Sequence, residues 1–188
     1  MTIIGLTGSL ASGKTTASKI IAAKRGPLFN ADKVVKRLYN QKKFRRHLSK
    51  KLNLNLDKDF KENLRNKVLK KKKILRKLEK IIHPLIRKEM HIFLKKNKKK
   101  KFLFLEIPLL IESKLVKYFD VIIFIKSSKN LRLKRFMSRG GRPDLFSLLD
   151  KHQIKDSKKM KFCDHIVVNN RSLSILKNKL YNIIYLYE

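Results

Sequence analysis

The segment Gly8-Ser9-Leu10-Ala11-Ser12-Gly13-Lys14-Thr15 restricts this chain more than any other, because it matches the spacing G-x-x-x-x-G-K-S/T. Backbone N–H groups can wrap a polyphosphate only where the chain turns sharply with little side-chain bulk. The context is also the required one. The apolar run Ile3, Ile4, Leu6 leads into the loop as a buried-strand signal, and a helical stretch from Lys14 to about Arg25 leaves it. That helix start adds unpaired N–H groups and a dipole favouring anions. Four of the nine residues from Gly8 to Thr16 are Ser or Thr, and none is acidic. Lys14 can reach the β- and γ-phosphates, and the Thr15 hydroxyl can hold Mg²⁺. The loop implies a bound nucleotide but not a reaction, since GTPases, ATPases, helicases and small-molecule kinases share it.

The rest of the chain repeats this strand-then-helix rhythm. Leu28-Phe29, Phe102 to Ile107, Asp120 to Ile125 and Ile166 to Val168 read as further short strands, each followed by a helical segment. Five strands alternating with helices predict an α/β fold, a parallel sheet covered on both faces. A helical, basic pattern runs from Asp32 to about Leu52, and Ile74, Leu78, Ile81, Ile82 and Leu85 form a stripe at helical spacing. Pro84 is expected to end one helix and open the next, with His83 at the joint. Leu173, Leu176, Leu180 and Ile184 are expected on one face of a C-terminal helix. Two segments stand outside the rhythm: the basic helical region from about 40 to 98 and the polar stretch 139–161.

Composition decides what else the chain could be. Its 188 residues are 43% hydrophobic, enough for a core and against a disordered polycation, despite a net charge of +35. That charge first suggests nucleic acid. However, 37 of the 49 basic residues are Lys and 12 are Arg, while Gly is scarce and Trp absent. Surfaces that read bases or grip phosphate bidentately favour Arg. A bias toward A/T-rich codons explains the lysines better, so weak, salt-sensitive sticking is expected and no specific nucleic acid. Cys163 is the lone cysteine, which rules out a disulfide scaffold and fits a reducing, cytoplasmic setting. The most apolar stretch, Phe102 to Ile111, is interrupted by Glu106 and Pro108 and too short to span a membrane. No signal peptide is visible.

Strand two ends at Asn30-Ala31-Asp32, and carboxyl ends of parallel strands face the nucleotide crevice. Asp32 could orient an acceptor hydroxyl, or equally cap the helix that follows. Here the residues resemble the dephospho-CoA kinase family, from Ile3 to about Asn170. The landmarks occur in order: the loop; Asn30-Ala31-Asp32, similar to D-A-D; His83-Pro84-Leu85-Ile86, matching H-P-L-I; and Glu106 to Glu112, similar to (D/E)-x-P-L-L-(F/I)-E. Leu133 to Arg139 resembles the lid entry Q-x-x-R-x-x-x-R. Gln153 with Lys159, then Cys163-Asp164 and Val168-Asn169-Asn170, resemble the closing motifs.

The resemblance implies a three-layer α/β/α P-loop NTPase of nucleoside-kinase type, with a five-stranded parallel sheet, a helical acceptor-binding insertion and a lid. Its parts would be a core of 1–39, 99–138 and 162–188, an insertion of 40–98 and a lid of 139–161. It implies ATP on Gly8, Ala11, Ser12, Gly13, Lys14, Thr15 and Thr16, with Mg²⁺ held by Thr15 and by Glu106 through water. Asp32, Lys14 and Arg139 would be catalytic. Asp32 with Lys36, Lys61 and His83 would bind dephospho-CoA, in a cytoplasmic monomer or weak oligomer. Bland readings stand beside these. His83 serves equally as a joint before Pro84, Glu106 as a strand-end cap, Glu112 as an exposed or hinge residue, and Lys134 and Arg135 as solvated charges. Asn30 replaces an acidic residue, Lys36 and Lys61 stand where Arg is usual, and Gly140-Gly141 is expected to loosen the lid. The rivals are another P-loop kinase, which would carry a different loop and an arginine-rich lid, and a basic nucleic-acid binder with a vestigial nucleotide site.

Overall fold

Apolar runs too short for helices and continuously hydrophobic become the strands of one sheet, because strands buried on both faces need no alternation. The computed structural model describes residues 1–56 and 59–188. In chain order the elements are β1 (Thr2–Gly8), α1 (Lys14–Ala22), β2 (Leu28–Asn30), α2 (Ala31–Asn40), α3 (Lys42–Leu52), α4 (Phe60–Lys70) and α5 (Lys72–Lys96). There follow β3 (Phe102–Glu106), a 3-10 turn at Val116–Tyr118, β4 (Val121–Lys126), α6 (Lys129–Met137), α7 (Pro143–His152), α8 (Asp156–Met160), β5 (His165–Val168) and α9 (Leu173–Tyr185). The five strands are parallel in the order β2-β3-β1-β4-β5. Asn30 pairs with Glu106 and Glu106 with Leu6, so the β2 and β3 carboxyl ends lie beside the start of the glycine loop.

Two compact units divide the chain: Met1–Asn30 with Phe93–Glu188, and Ala31–Ile92. The first holds the sheet. On one face Ile4, Leu6, Phe104, Ile123, Ile125 and Val167 pack against Ala17 and Ile21 of α1 and Leu176, Leu180 and Ile184 of α9. On the other face Leu103, Leu105, Ile122 and Phe124 are buried. There a Cβ on Gly5 would lie 2.7 Å from the Phe119 ring and 3.0 Å from Leu110, so only glycine lets the segment after β3 close on the sheet. The result is helix, sheet and covering layer, the expected α/β sandwich. The second unit has its own core, including Phe44, Leu48, Phe60, Leu64 and Ile74. Among the described residues, no helix is long and apolar enough to cross a membrane.

Several boundaries differ from the sequence reading. The first helix stops at Ala22 rather than Arg25, because Ala23 leaves helical geometry and Lys24 turns left-handed at φ 61°. The single pattern from Asp32 to Leu52 is broken at Gln41, which is extended at ψ 122°. Pro84 does not end a helix: α5 runs unbroken through it. Its ring is exposed, while Ile74, Leu75, Ile82 and Met90 remain buried along the helix. Packing of that stripe outweighs the lost backbone hydrogen bond. Leu173 is not on the buried face of α9; at the first helical position it is 61% exposed.

Candidate active site

The loop takes the strained path its glycines allow. Gly8 and Gly13 have φ of 146° and 98°, and Ala11 is left-handed at 57°. A Cβ at Gly8 would sit 2.3 Å from the Ile125 carbonyl oxygen, and one at Gly13 2.2 Å from Nδ2 of Asn169. Lys14 is buried and folds back, its Nζ donating to the carbonyls of Gly8 (3.0 Å) and Ser9 (2.7 Å). It thereby rests its charge on the oxygens of the loop it serves. The Ser12 hydroxyl is buried with no hydrogen-bond partner among the described residues. An orphaned hydroxyl there fits a site that takes a phosphate oxygen. Thr15 and Thr16 are exposed at the first turn of α1.

Glu106, at the end of β3, is 1% exposed yet fully engaged. It accepts from Thr15 Oγ1 at 2.6 Å, from Ser18 Oγ at 2.9 Å and from Asn30 Nδ2. These donors satisfy its buried oxygens. Glu106 is therefore tied to the loop's threonine rather than simply capping a strand. A hydroxyl and a carboxylate this close are hard oxygen donors of the kind Mg²⁺ takes. Among the described residues no group of three His, Cys, Asp or Glu is placed to hold a metal ion.

The loop's other side is held from α6 and β5. Asn169 donates to the Ser12 carbonyl at 2.9 Å. Arg135 reaches the Ser12 carbonyl at 3.4 Å, the Ser127 hydroxyl at 3.1 Å and the Asn169 carbonyl at 3.2 Å. Arg132, 6% exposed, pairs with Asp150 and donates to the carbonyls of Ser127 (3.2 Å) and Leu10 (3.4 Å). Arg135, part of the lid-entry resemblance with a solvated charge as its bland alternative, is tied to the loop, and so is Arg132, to which the sequence assigns no role. The available signal was their i, i+3 spacing, which puts both guanidinium groups on one face of α6. Lys134, between them, is exposed.

In the second unit, Asp32, Lys36 and Lys61 line one cavity of about 430 Å³ with Tyr39 and Arg65. Asp32 is exposed in the first turn of α2. The cavity thus combines one carboxylate, three cations and an aromatic ring whose phenol burial pushes up to about 12. Such a lining suits an anionic ligand. His83 is half-buried in mid-α5 and is not among the residues lining this cavity. Arg139 is exposed just past α6.

The sequence pattern of the dephospho-CoA kinase family matches residues 2–174, nearly the whole chain. This chain belongs to the dephospho-CoA kinase family. The dephospho-CoA kinase of Zymomonas mobilis is 34% identical, covering 94% of this chain and 91% of that protein. That of Fusobacterium nucleatum is 33% identical, covering 95% and 94%. The solved dephospho-CoA kinase from Campylobacter jejuni is 28% identical and superposes with a TM-score of 0.64 over 97% of this chain and 95% of that one. Two departures from the family pattern then acquire a geometry. Asn30, in place of the first acidic residue of D-A-D, donates to Glu106. Gly140 and Gly141 close α6, their N–H groups donating to the carbonyls of Met137 (2.9 Å) and Phe136 (3.0 Å). Gly140 takes the left-handed φ of 77°, and a Cβ on Gly141 would meet the Phe136 ring at 2.2 Å, so the second glycine serves a close approach.

Proposed function

We propose that this chain transfers the γ-phosphoryl group of ATP to the ribose 3′-hydroxyl of dephospho-CoA, giving coenzyme A and ADP. The match of residues 2–174 to the dephospho-CoA kinase family carries the reading. The loop supports its chemistry. Gly8 to Thr16 would cradle the phosphates through backbone N–H groups, with the Ser12 hydroxyl finding its partner there. Lys14 would exchange the two loop carbonyls for phosphate oxygens. Thr15 would hold Mg²⁺ with Glu106 behind it, and the ion would supply charge that neutralises the phosphates. Asp32 would accept a hydrogen bond from the acceptor hydroxyl and align it for in-line attack. Lys36 and Lys61, with Arg65, would neutralise the acceptor's pyrophosphate. His83 would stand in the acceptor-binding insertion, and Arg139 would stabilise charge on the moving phosphoryl group.

The test is a coupled ADP-release assay with Mg-ATP, comparing dephospho-CoA, AMP, adenosine and no acceptor. Turnover restricted to dephospho-CoA is expected, with Asp32→Ala lowering kcat by about 10²-fold or more, the usual scale for a positioned proton acceptor. Turnover on a different acceptor would keep the kinase and overturn the substrate.

A further inference from the structure

Two motifs of this chain take no part in the reaction as described, and the structure joins them. Glu112 closes the Pro-Leu-Leu-Ile-Glu segment after β3, and Lys159 lies in α8 with Gln153 six residues before it. Lys159 is 0% exposed. Its Nζ lies 2.7 Å from Oε1 of Glu112 and 3.3 Å from Oε1 of Gln153. The same Glu112 oxygen accepts from the Ile154 N–H at 3.2 Å. Glu112 was expected on the surface or at a hinge, but its side chain is 15% exposed and its other oxygen is buried without a partner among the described residues. A fully buried ammonium is costly unless it is paired, and removing one partner strands the other charge in the interior.

The contacts of this pair lead to the nucleotide loop. Asp156, one helical turn before Lys159, accepts a hydrogen bond from the Ser9 hydroxyl. Ser9 is 3% exposed, and its carbonyl is the nearer of the two that hold Lys14 Nζ, at 2.7 Å. A chain of contacts therefore runs from Glu112 and Lys159 through α8 to Asp156, to Ser9 and to Lys14. Since α8 is only five residues long, it has little helical stability of its own. The buried pair holds it at one end and the bond between Asp156 and Ser9 at the other.

We infer that Lys159 and Asp156 are positioning residues for ATP: the Glu112–Lys159 pair pins α8, and Asp156 through Ser9 sets the loop that presents Lys14 to the phosphates. Neither residue needs to touch the nucleotide. The role is specific to the ATP side and leaves the acceptor side alone.

The experiment measures Mg-ATP binding by titration calorimetry and both KM values in the ADP-release assay. Asp156→Ala is expected to weaken ATP binding about five- to tenfold, the scale of one charge-assisted hydrogen bond. The KM for dephospho-CoA should stay within about twofold, and Asp156→Asn, which keeps the acceptor oxygen, should recover most of the loss. The paired variant Glu112→Gln with Lys159→Met removes both charges together, so no ion is stranded. It should show the same ATP-selective loss, and adding Asp156→Ala to it should cost little more, because both act through α8. Unchanged ATP affinity in Asp156→Ala, or losses that multiply in the triple variant, would overturn the inference. Should the paired variant not fold, Asp156→Ala against Asp156→Asn decides it. The calorimetric readout needs no acceptor, so an error in the assigned acceptor would leave this result standing.

Discussion

Glu106 accepts three hydrogen bonds at once, and the third comes from a position where the family pattern has an acidic residue. An aspartate at 30 would set two carboxylates side by side in the interior, and like charges there cannot both ionise without a cation. Asn30 turns that repulsion into a donated hydrogen bond. Asn30→Asp is therefore expected to destabilise the metal-free protein by about 2 kcal/mol or more. The deficit should shrink when Mg-ATP is added, as denaturant melts with and without Mg-ATP would reveal. An equal loss in both conditions would contradict the account. Cys163 offers a second check at this scale. Burial first, and Asp164 second, push its thiol up to about 12. Because that folded value lies above the unfolded one, thiolate is suppressed at neutral pH and stability falls as pH rises toward it. Native protein at pH 8 should alkylate with iodoacetamide at least about tenfold more slowly than unfolded chain. Fast native labelling would refute it.

Elements were legible where local and tertiary demands agree. β1, the glycine loop and the start of α1 stand where the residues said, because a single stretch of sequence carries strand, turn and helix signals together. Legibility failed where they conflict. Pro84 is a local stop signal, but the apolar stripe from Ile74 to Met90 continues through it, and burial overrode the stop. The arginines of α6 failed differently. Their spacing puts both guanidinium groups on one helix face but does not say what that face meets, since the loop that Arg135 grips lies over a hundred residues away. Glu112 and Lys159 belong to that second kind. If Pro84 is held by tertiary packing against its own preference, removing it should relieve strain. Pro84→Ala is expected to raise stability by up to about 3 kcal/mol, the helix-interior difference between the two residues. Thermal unfolding would measure it, and a lower Tm would show that the proline ring has a packing role its exposure conceals.

At the scale of the whole molecule, a charge of +35 poses a question that neither fold nor site requires. The cations named at the candidate site have defined surroundings: Lys14 bonds to loop carbonyls, Arg132 and Arg135 bond to the loop from α6, and Lys36, Lys61 and Arg65 line the cavity. Many other lysines among the described residues are simply exposed. Lys98, Lys99 and Lys100 are all exposed in the stretch between α5 and β3. Spread over a surface, such charge raises the local concentration of any polyanion and is screened over about 10 Å at 0.1 M salt. Duplex DNA should therefore bind this protein through released counterions. Affinity for a 20-bp duplex is expected to fall about 10³-fold or more between 50 and 200 mM salt, whatever the base sequence. Replacing Lys98, Lys99 and Lys100 with Gln should lower the slope of log affinity against log salt by up to about 3, at 0.9 per lost contact. The same replacement should leave turnover on dephospho-CoA within about twofold, because these residues lie outside the candidate site. Binding that prefers one duplex sequence, or that survives 200 mM salt, would mean that some of these lysines form a surface selected for nucleic acid. Composition alone would then no longer account for them.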